Sequence, residues 1–136
     1  AWDLSVTSGW PPGHSNFGFG PYTMGTYLGD IFVAGNGLQW AREVEGMGGL
    51  IGQGNLIEGI SGTCYRIGES FNRAVAVGNR VHPDLSQNGF IAFSVDGSSW
   101  TEQDWNPGPE TGHTFYCFAD NGERLVVAGT RWATWF

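Results

Sequence analysis

A few carboxylates are the residues of this sequence whose spacing could support catalysis. Hydrolysis of a glycoside needs two carboxyl groups roughly 5 to 9 Å apart. Glu43 with Glu45, or Glu102 with Asp104, would lie on one face of a strand, because side chains two residues apart point the same way. Such pairs arise readily in a chain with 13 acidic residues. We therefore interpret them as parts of a solvated polar face.

The three histidines, His14, His82 and His113, are too widely spaced for a recognised metal-binding pattern. No two cysteines have the CxxC spacing of a zinc site. The Gly-rich stretch GMGGLIGQG lacks the Lys and the strand-to-helix context of a phosphate-binding loop. We predict no metal and no cofactor.

Composition indicates that turns and an aromatic core must position these side chains. The 136 residues include 23 Gly, 15% are aromatic and only 14% are charged. A chain of this length forms one domain, which we assign to residues 1–136. No segment has the 18 or more apolar residues of a membrane span, and the first residues do not resemble a signal peptide. Membrane insertion is not expected.

The charge of the chain disfavours binding to nucleic acid. All six cationic residues are Arg, and the formal net charge is -7. A polyanion would be repelled by this excess of acidic groups.

Three segments align with one another without a gap: PYTMGTYLGDIFVAGN (21–36), CYRIGESFNRAVAVGN (64–79) and FYCFADNGERLVVAGT (115–130). They share a Tyr at the second position and a Gly at the fifteenth: Tyr22, Tyr65 and Tyr116, and Gly35, Gly78 and Gly129. Each segment has two short apolar runs separated by turn-forming residues, which predicts a β-hairpin.

A further hairpin is predicted where Asp96-Gly97 separates two strand-like runs in residues 88–105. One repeat therefore holds four strands in up-and-down order. The stretch LSVTSGW (4–10) is similar to FSVDGSSW (93–100) but is one residue shorter. The last repeat, in contrast, has no second hairpin in this sequence. We expect the N-terminal strand to complete the last repeat.

These features resemble the BNR or Asp-box repeats of sialidase-like β-propellers, of the type found in phage and bacterial surface proteins. The SxDGxxW box occurs once, at Ser94, Asp96, Gly97 and Trp100. The repeated Tyr residues are 43 and 51 residues apart, near the 40 to 50 expected of a four-stranded blade. The resemblance implies an all-β, β-propeller-like fold with about three four-stranded antiparallel blades, the closing blade being shared between the two termini.

Three blades do not readily close a ring, since propellers typically have four to eight. We therefore expect the ring to be completed by identical chains or by other subunits, or the chain to form an open arc. The segment 44–63 is Gly-rich and has no Asp-Gly box, so we expect it to be irregular or to contact a neighbour.

The two cysteines, Cys64 and Cys117, belong to different repeats. If the repeats form separate sheets, we do not expect the Cα atoms to come within the ~7 Å that a disulfide allows. We predict two free and buried thiols.

Sialidase activity is not supported by the arginines. The resemblance would require a cluster of three Arg for the substrate carboxylate, but Arg73 and Arg124 occupy the same repeat position, which indicates a structural role. In the family the Asp box is itself a folding motif. We expect no enzymatic activity.

Aromatic residues in loops are the best candidates for a ligand site. In lectin propellers, aromatic faces between blades hold sugars with Asp, Asn or His beside them. The candidate glycan contacts in this chain are Trp10, His14, Asp104, Trp105 and His113.

The resemblance thus implies a structural or interaction module of a virion surface, such as a phage tail, fibre or head decoration protein. The alternative is a carbohydrate-binding lectin assembled from several chains, with a cell-surface glycan as ligand. A glycosidase is a remote alternative. The expected location is a virion or the extracellular space.

Overall fold

The computed structural model describes residues 6–8, 21–43, 50–104, 112–130 and 133–135. These residues form twelve strands in three separate sheets and no helix, which confirms the predicted all-β class. None of the three sheets closes on itself as a barrel. In the same ranges, no helix has the length and apolarity needed to cross a membrane.

The first sheet has five strands in the spatial order β1-β5-β4-β3-β2. They are β1 (Val6–Ser8), β2 (Pro21–Tyr27), β3 (Asp30–Gly35), β4 (Gln39–Glu43) and β5 (Leu50–Asn55). Strands β2 to β5 form an antiparallel meander, and β1 pairs with β5 in parallel.

This sheet differs from the sequence-based predictions in two places. The segment predicted to be irregular, 44–63, contains strand β5, whose pairing with β4 has one register shift. Gly52 and Gly54 occupy buried positions of β5, so the alternation of apolar and polar side chains that marks a strand is missing. The N-terminal strand β1 joins the first sheet, not the last repeat. Without β1, β5 would be an edge strand with unpaired backbone hydrogen-bonding groups that any strand could satisfy, and the similarity of residues 4–10 to residues 93–100 does not specify the partner.

The second sheet has four strands, and their spatial order is the order of the sequence. They are β6 (Ser61–Ser70), β7 (Arg73–Val81), β8 (Gln87–Ser94) and β9 (Thr101–Glu102). All neighbours are antiparallel, which is the up-and-down arrangement that the sequence predicts for one repeat. The turn between β6 and β7 is tight, because Phe71 and Asn72 both have positive φ, as in a type I′ hairpin turn.

The third sheet contains β10 (Thr114–Asp120), β11 (Leu125–Thr130) and β12 (Ala133–Trp135). These strands are antiparallel neighbours in the order of the sequence.

The repeated Tyr and Gly residues mark one backbone feature in all three sheets. The pairing register shifts at each repeated Tyr, which is the extra residue of a β-bulge in β2, β6 and β10. Each repeated Gly pairs with the residue just before the bulge. A Cβ added at Gly78 would collide with Thr63 O and lie 2.9 Å from Cys64 Cα. The Gly is required because the two backbones approach closely there.

The three sheets pack face to face in sequence order. The cluster between the first and second sheets includes Phe32, Trp40, Ile67 and Phe90. The cluster between the second and third sheets contains Val75, Val77, Ile91, Phe115 and Val127, with Phe118 and Leu125 packed against it. The second sheet is therefore covered on both faces, and this explains why β7 reads as a nearly continuous apolar run. A smaller cluster on the opposite face of the first sheet comprises Val33, Ala41 and Leu50.

Candidate functional site

The Asp-Gly turn of the second sheet is held together by the Asp96 carboxylate. Asp96 Oδ1 accepts hydrogen bonds from the backbone N–H groups of Ser98 and Ser99, each at 2.8 Å, and from Ser94 Oγ at 3.0 Å. Ser94 Oγ in turn accepts a hydrogen bond from Gly97 N at 2.9 Å. The backbone N–H groups of Ser99 and Ser98, followed by the Ser94 hydroxyl, lower the pKa of Asp96 to about 2. Among the described residues, all hydrogen-bond donors to this carboxylate belong to the turn itself.

The same turn contacts the first sheet through Arg42. The Arg42 guanidinium forms an ion pair with Asp30 at 2.6 Å and donates hydrogen bonds to Gly97 O at 3.0 Å and to Ser98 Oγ at 2.8 Å. It also lies over the Phe32 ring, with Cζ 5.3 Å from the ring centroid. The partly buried guanidinium of Arg42 thus connects the first sheet to the Asp-Gly turn of the second sheet.

Trp100 of the box completes this contact by filling the space between the sheets. Its ring lies edge-on to Trp40, at 5.6 Å between centroids, and to Phe32, at 6.4 Å. Nearby, the Tyr27 hydroxyl is within hydrogen-bond distance of the carbonyl oxygens of Val95, at 2.6 Å, and Asn72, at 2.8 Å. The Asp-box residues therefore lie in a packed contact between sheets and not around an open cavity.

Of the five candidate glycan contacts, the structure describes only Asp104 and His113. Trp10, His14 and Trp105 lie outside the described ranges. Asp104 is exposed. His113 is fully buried, with 0% of its surface accessible, so in contrast to the sequence-based expectation its imidazole does not face solvent. The lectin hypothesis gains no support from these positions.

The carboxylate pairs considered for glycoside hydrolysis also have other partners or lie outside the structure. Glu102 Oε1 forms an ion pair with Arg80 Nη1 at 2.8 Å. Asp104 follows β9 in an exposed position, and Glu45 is outside the described ranges. Over the described parts of the chain, no three His, Cys, Asp or Glu residues are grouped as metal ligands would be.

The two cysteines are free, and they have different environments. Cys64 is completely buried, and this burial raises the pKa of its thiol to about 12. Cys117 is exposed on the third sheet, so the prediction of two buried thiols is wrong for this residue. Cys117 of β10 pairs with Ala128 of β11, and it lies on the face of the third sheet that is turned away from the second sheet.

That outer face of the third sheet is the apolar surface that sequence analysis missed. Val126 occupies the repeat position of Phe32 and Val75, whose side chains are 1% and 2% exposed because the next sheet covers them. Val126 is 44% exposed. Its direct cross-strand partner is Ala119, which is also exposed. The sequence did contain a signal, since the run LVVA of β11 is apolar at successive positions, as expected of a strand covered on both faces.

The first sheet leaves a matching position exposed at the other end of the stack. Met24 occupies the repeat position of Ile67 and Phe118, which pack against the preceding sheet. Met24 is 55% exposed, whereas Ile67 is 1% exposed. Met24 and Val126 are thus exposed at repeat positions that are packed between sheets inside the chain. On the first sheet this exposure is confined to Met24 within the described cluster, because its cross-strand partner Val33 is 1% exposed and packs with Ala41 and Leu50.

No model of a protein family matches this chain, and the search of curated proteins also found no match.

Proposed function

We propose that this protein is a non-enzymatic structural module that assembles with further copies of itself by continuing its stack of sheets. The observation that carries the proposal is the 44% exposure of Val126, compared with 1% and 2% for the equivalent Phe32 and Val75. Contiguous exposed apolar surface is a mark of an interaction site. The chain already contains two examples of the packing that would cover it.

The occupant we propose for the outer face of the third sheet is the first sheet of a second copy. Inside the chain, the face that carries Phe32 or Val75 always packs against the face of the next sheet that carries Ile67 or Phe118. Met24 is the exposed residue of that second type. A contact between Val126 of one copy and Met24 of another joins two different surfaces, and such head-to-tail contacts build closed rings when the rotation permits.

A ring of this kind would be a β-propeller with blades from several chains, which is the finer form of the fold that the Asp-box resemblance suggests. The three separate sheets packed in sequence order support it. In keeping with the same resemblance, we propose a virion surface as the setting, as a tail, fibre or head decoration component. The excess of negative charge is compatible with that setting because it disfavours binding to the packaged nucleic acid.

The mass of the protein in solution tests this proposal, and Cys117 provides an independent probe of the same surface. We expect light scattering or native mass spectrometry to show a closed oligomer. Cys117 should react with a thiol reagent in dilute protein and become protected as the concentration rises, while buried Cys64 stays unreactive throughout. A monomer at all concentrations, with Cys117 equally reactive at each, would exclude self-assembly.

A further inference from the structure

A cleft with a volume of about 320 Å³ lies between the second and third sheets, beside the turn of the β6–β7 hairpin. Its apolar lining comes from Val75 and Ile91 of the second sheet and Leu125 of the third. The Phe93 ring forms a further wall and is only partly buried. Pockets for small molecules have this character, being mostly apolar, with volumes from roughly 300 Å³ and a few polar groups that fix orientation.

The cation at this cleft is Arg73. Its guanidinium lies over the Phe93 ring, with Cζ 5.0 Å from the centroid. Arg42 and Arg80 are paired with carboxylates at 2.6 and 2.8 Å, but Arg73 has no carboxylate at ion-pair distance among the described residues. The Asp120 carboxylate near the hairpin turn is engaged by Ser70 Oγ and, at 3.0 Å, by Gly122 N. Arg73 is therefore a positive charge beside an apolar cavity and forms no ion pair with a described acidic group.

A comparable pair of an arginine and a phenylalanine lies between the first and second sheets, although its strand positions differ, since Phe32 pairs with Arg42 whereas Phe93 pairs with Val75. There Arg42 lies over Phe32, on the face directed at the next sheet, just as Arg73 lies over Phe93. The space beside that stack is filled by the aromatic ring of Trp100, and oxygen atoms of Gly97 and Ser98 accept the hydrogen bonds of the guanidinium. The cleft beside Arg73 has the arginine, the ring and the apolar walls, but no described aromatic ring is inserted beside them and no described oxygen accepts a hydrogen bond from the Arg73 guanidinium.

We propose that this cleft binds a small organic carboxylate with an aromatic body. The ring would lie against Val75, Ile91 and Leu125, and the carboxylate would accept hydrogen bonds from Arg73, which is the strongest pairing open to a guanidinium. The site lies within one chain, so the proposal does not rest on self-assembly.

Titration with phenylacetate and indole-3-acetate, followed by ¹H–¹⁵N NMR, tests the proposal. We expect saturable shifts of the backbone amide signals of Phe71, Arg73 and Gln103. The matching uncharged amides, phenylacetamide and indole-3-acetamide, should bind about 10-fold or more weakly, as expected when a hydrogen bond between two charged groups is lost. Arg73→Gln should weaken carboxylate binding by a similar factor and leave binding of the amides unchanged.

Arg124→Gln is the matched control, because Arg124 occupies the same repeat position in the third sheet but does not line the cleft. It should bind the carboxylates as the unmodified protein does. Two results would overturn the proposal: no saturable shift at millimolar carboxylate, or equal affinity of the unmodified protein for the acids and their amides. Because the second comparison uses only the unmodified protein, it holds even if a variant fails to fold.

Discussion

Among single residues, Asp96 has a carboxylate, a group that can act in catalysis, but here the carboxylate stabilises a turn. Its carboxylate is exposed, yet it organises the turn by accepting hydrogen bonds from Ser98, Ser99 and Ser94. Those hydrogen bonds favour the ionised form and lower its pKa to about 2. The same turn presents Gly97 O and the Ser98 hydroxyl to Arg42, so order in the turn is also needed for the contact with the first sheet.

The protonation of Asp96 should make stability depend on pH in a defined range. Its pKa is lower in the folded protein than the ordinary value of 3.8, so the stability it contributes is fully present above about pH 4 and is lost as the pH falls toward about 2. We expect Asp96→Asn to lower the melting temperature at pH 7 and to lower it less at pH 2. Thermal denaturation followed by circular dichroism at several pH values measures this.

Asp104→Asn is the control for that prediction, because Asp104 is exposed and its carboxylate has no hydrogen bond among the described residues. Its melting temperature should match the unmodified protein at pH 7. If Asp96→Asn melted with the same pH dependence as the unmodified chain, the hydrogen bonds of its carboxylate would not stabilise the folded state.

At the level of the strand pair, the repeated Tyr and Gly residues mark the same β-bulge in β2–β3, β6–β7 and β10–β11. A bulge at the Tyr shifts the register, and the opposite Gly lets the two backbones approach. The sequence shows the recurrence of these two residue types. Their physical reason becomes visible only in the pairing, because the Gly lies opposite the residue before the bulge.

Gly78→Ala should therefore destabilise the second sheet. The added Cβ would meet Thr63 O and Cys64 Cα, which are backbone atoms that cannot rotate away. We expect a loss of about 1–3 kcal/mol in the free energy of unfolding, the usual cost of overpacking. Urea denaturation provides the measurement.

The comparison for this substitution is Gly68→Ala in the neighbouring strand β6. A Cβ at Gly68 would meet only Phe118 Cζ, at an ordinary contact distance of 3.6 Å. The change in stability should stay within about 0.5 kcal/mol. Similar losses for the two variants would show that the close approach at the bulge is not what requires Gly78.

For the whole molecule, the stack of sheets explains both the low charge content and the exposed ends. A middle sheet covered on both faces needs apolar residues at successive positions, as in β7. The third sheet has the same composition in β11, but its outer face is not covered by a described strand. In the proposed assembly, Val126 and Met24 lie on the two surfaces that neighbouring copies would cover.

Val126→Lys should weaken self-assembly by at least about 10-fold, because a charge in the centre of an apolar interface loses its hydration. Sedimentation velocity over a range of concentrations would show the shift toward monomer. Leu85→Lys adds the same charge at a residue that is 79% exposed and lies in the turn between β7 and β8, away from both end faces. That variant should assemble normally. Equal assembly of both variants would remove the outer face of the third sheet from the interface.

The sequence alone determined the all-β class, the four-stranded order of the second sheet and the Asp-Gly turn. These features depend on local patterns: alternating apolar residues, turn-forming residues and a Gly recurring beside a Tyr. Local patterns did not reveal β5, because Gly52 and Gly54 leave two of its buried positions without side chains.

Only the tertiary structure decided which strand β1 joins, that His113 is buried and that Cys117 is exposed. Each of these depends on which sheet lies against which face. Residues at one repeat position, such as Val75 and Val126, have the same local pattern and opposite exposure, because burial is set by the neighbouring sheet and not by the strand itself.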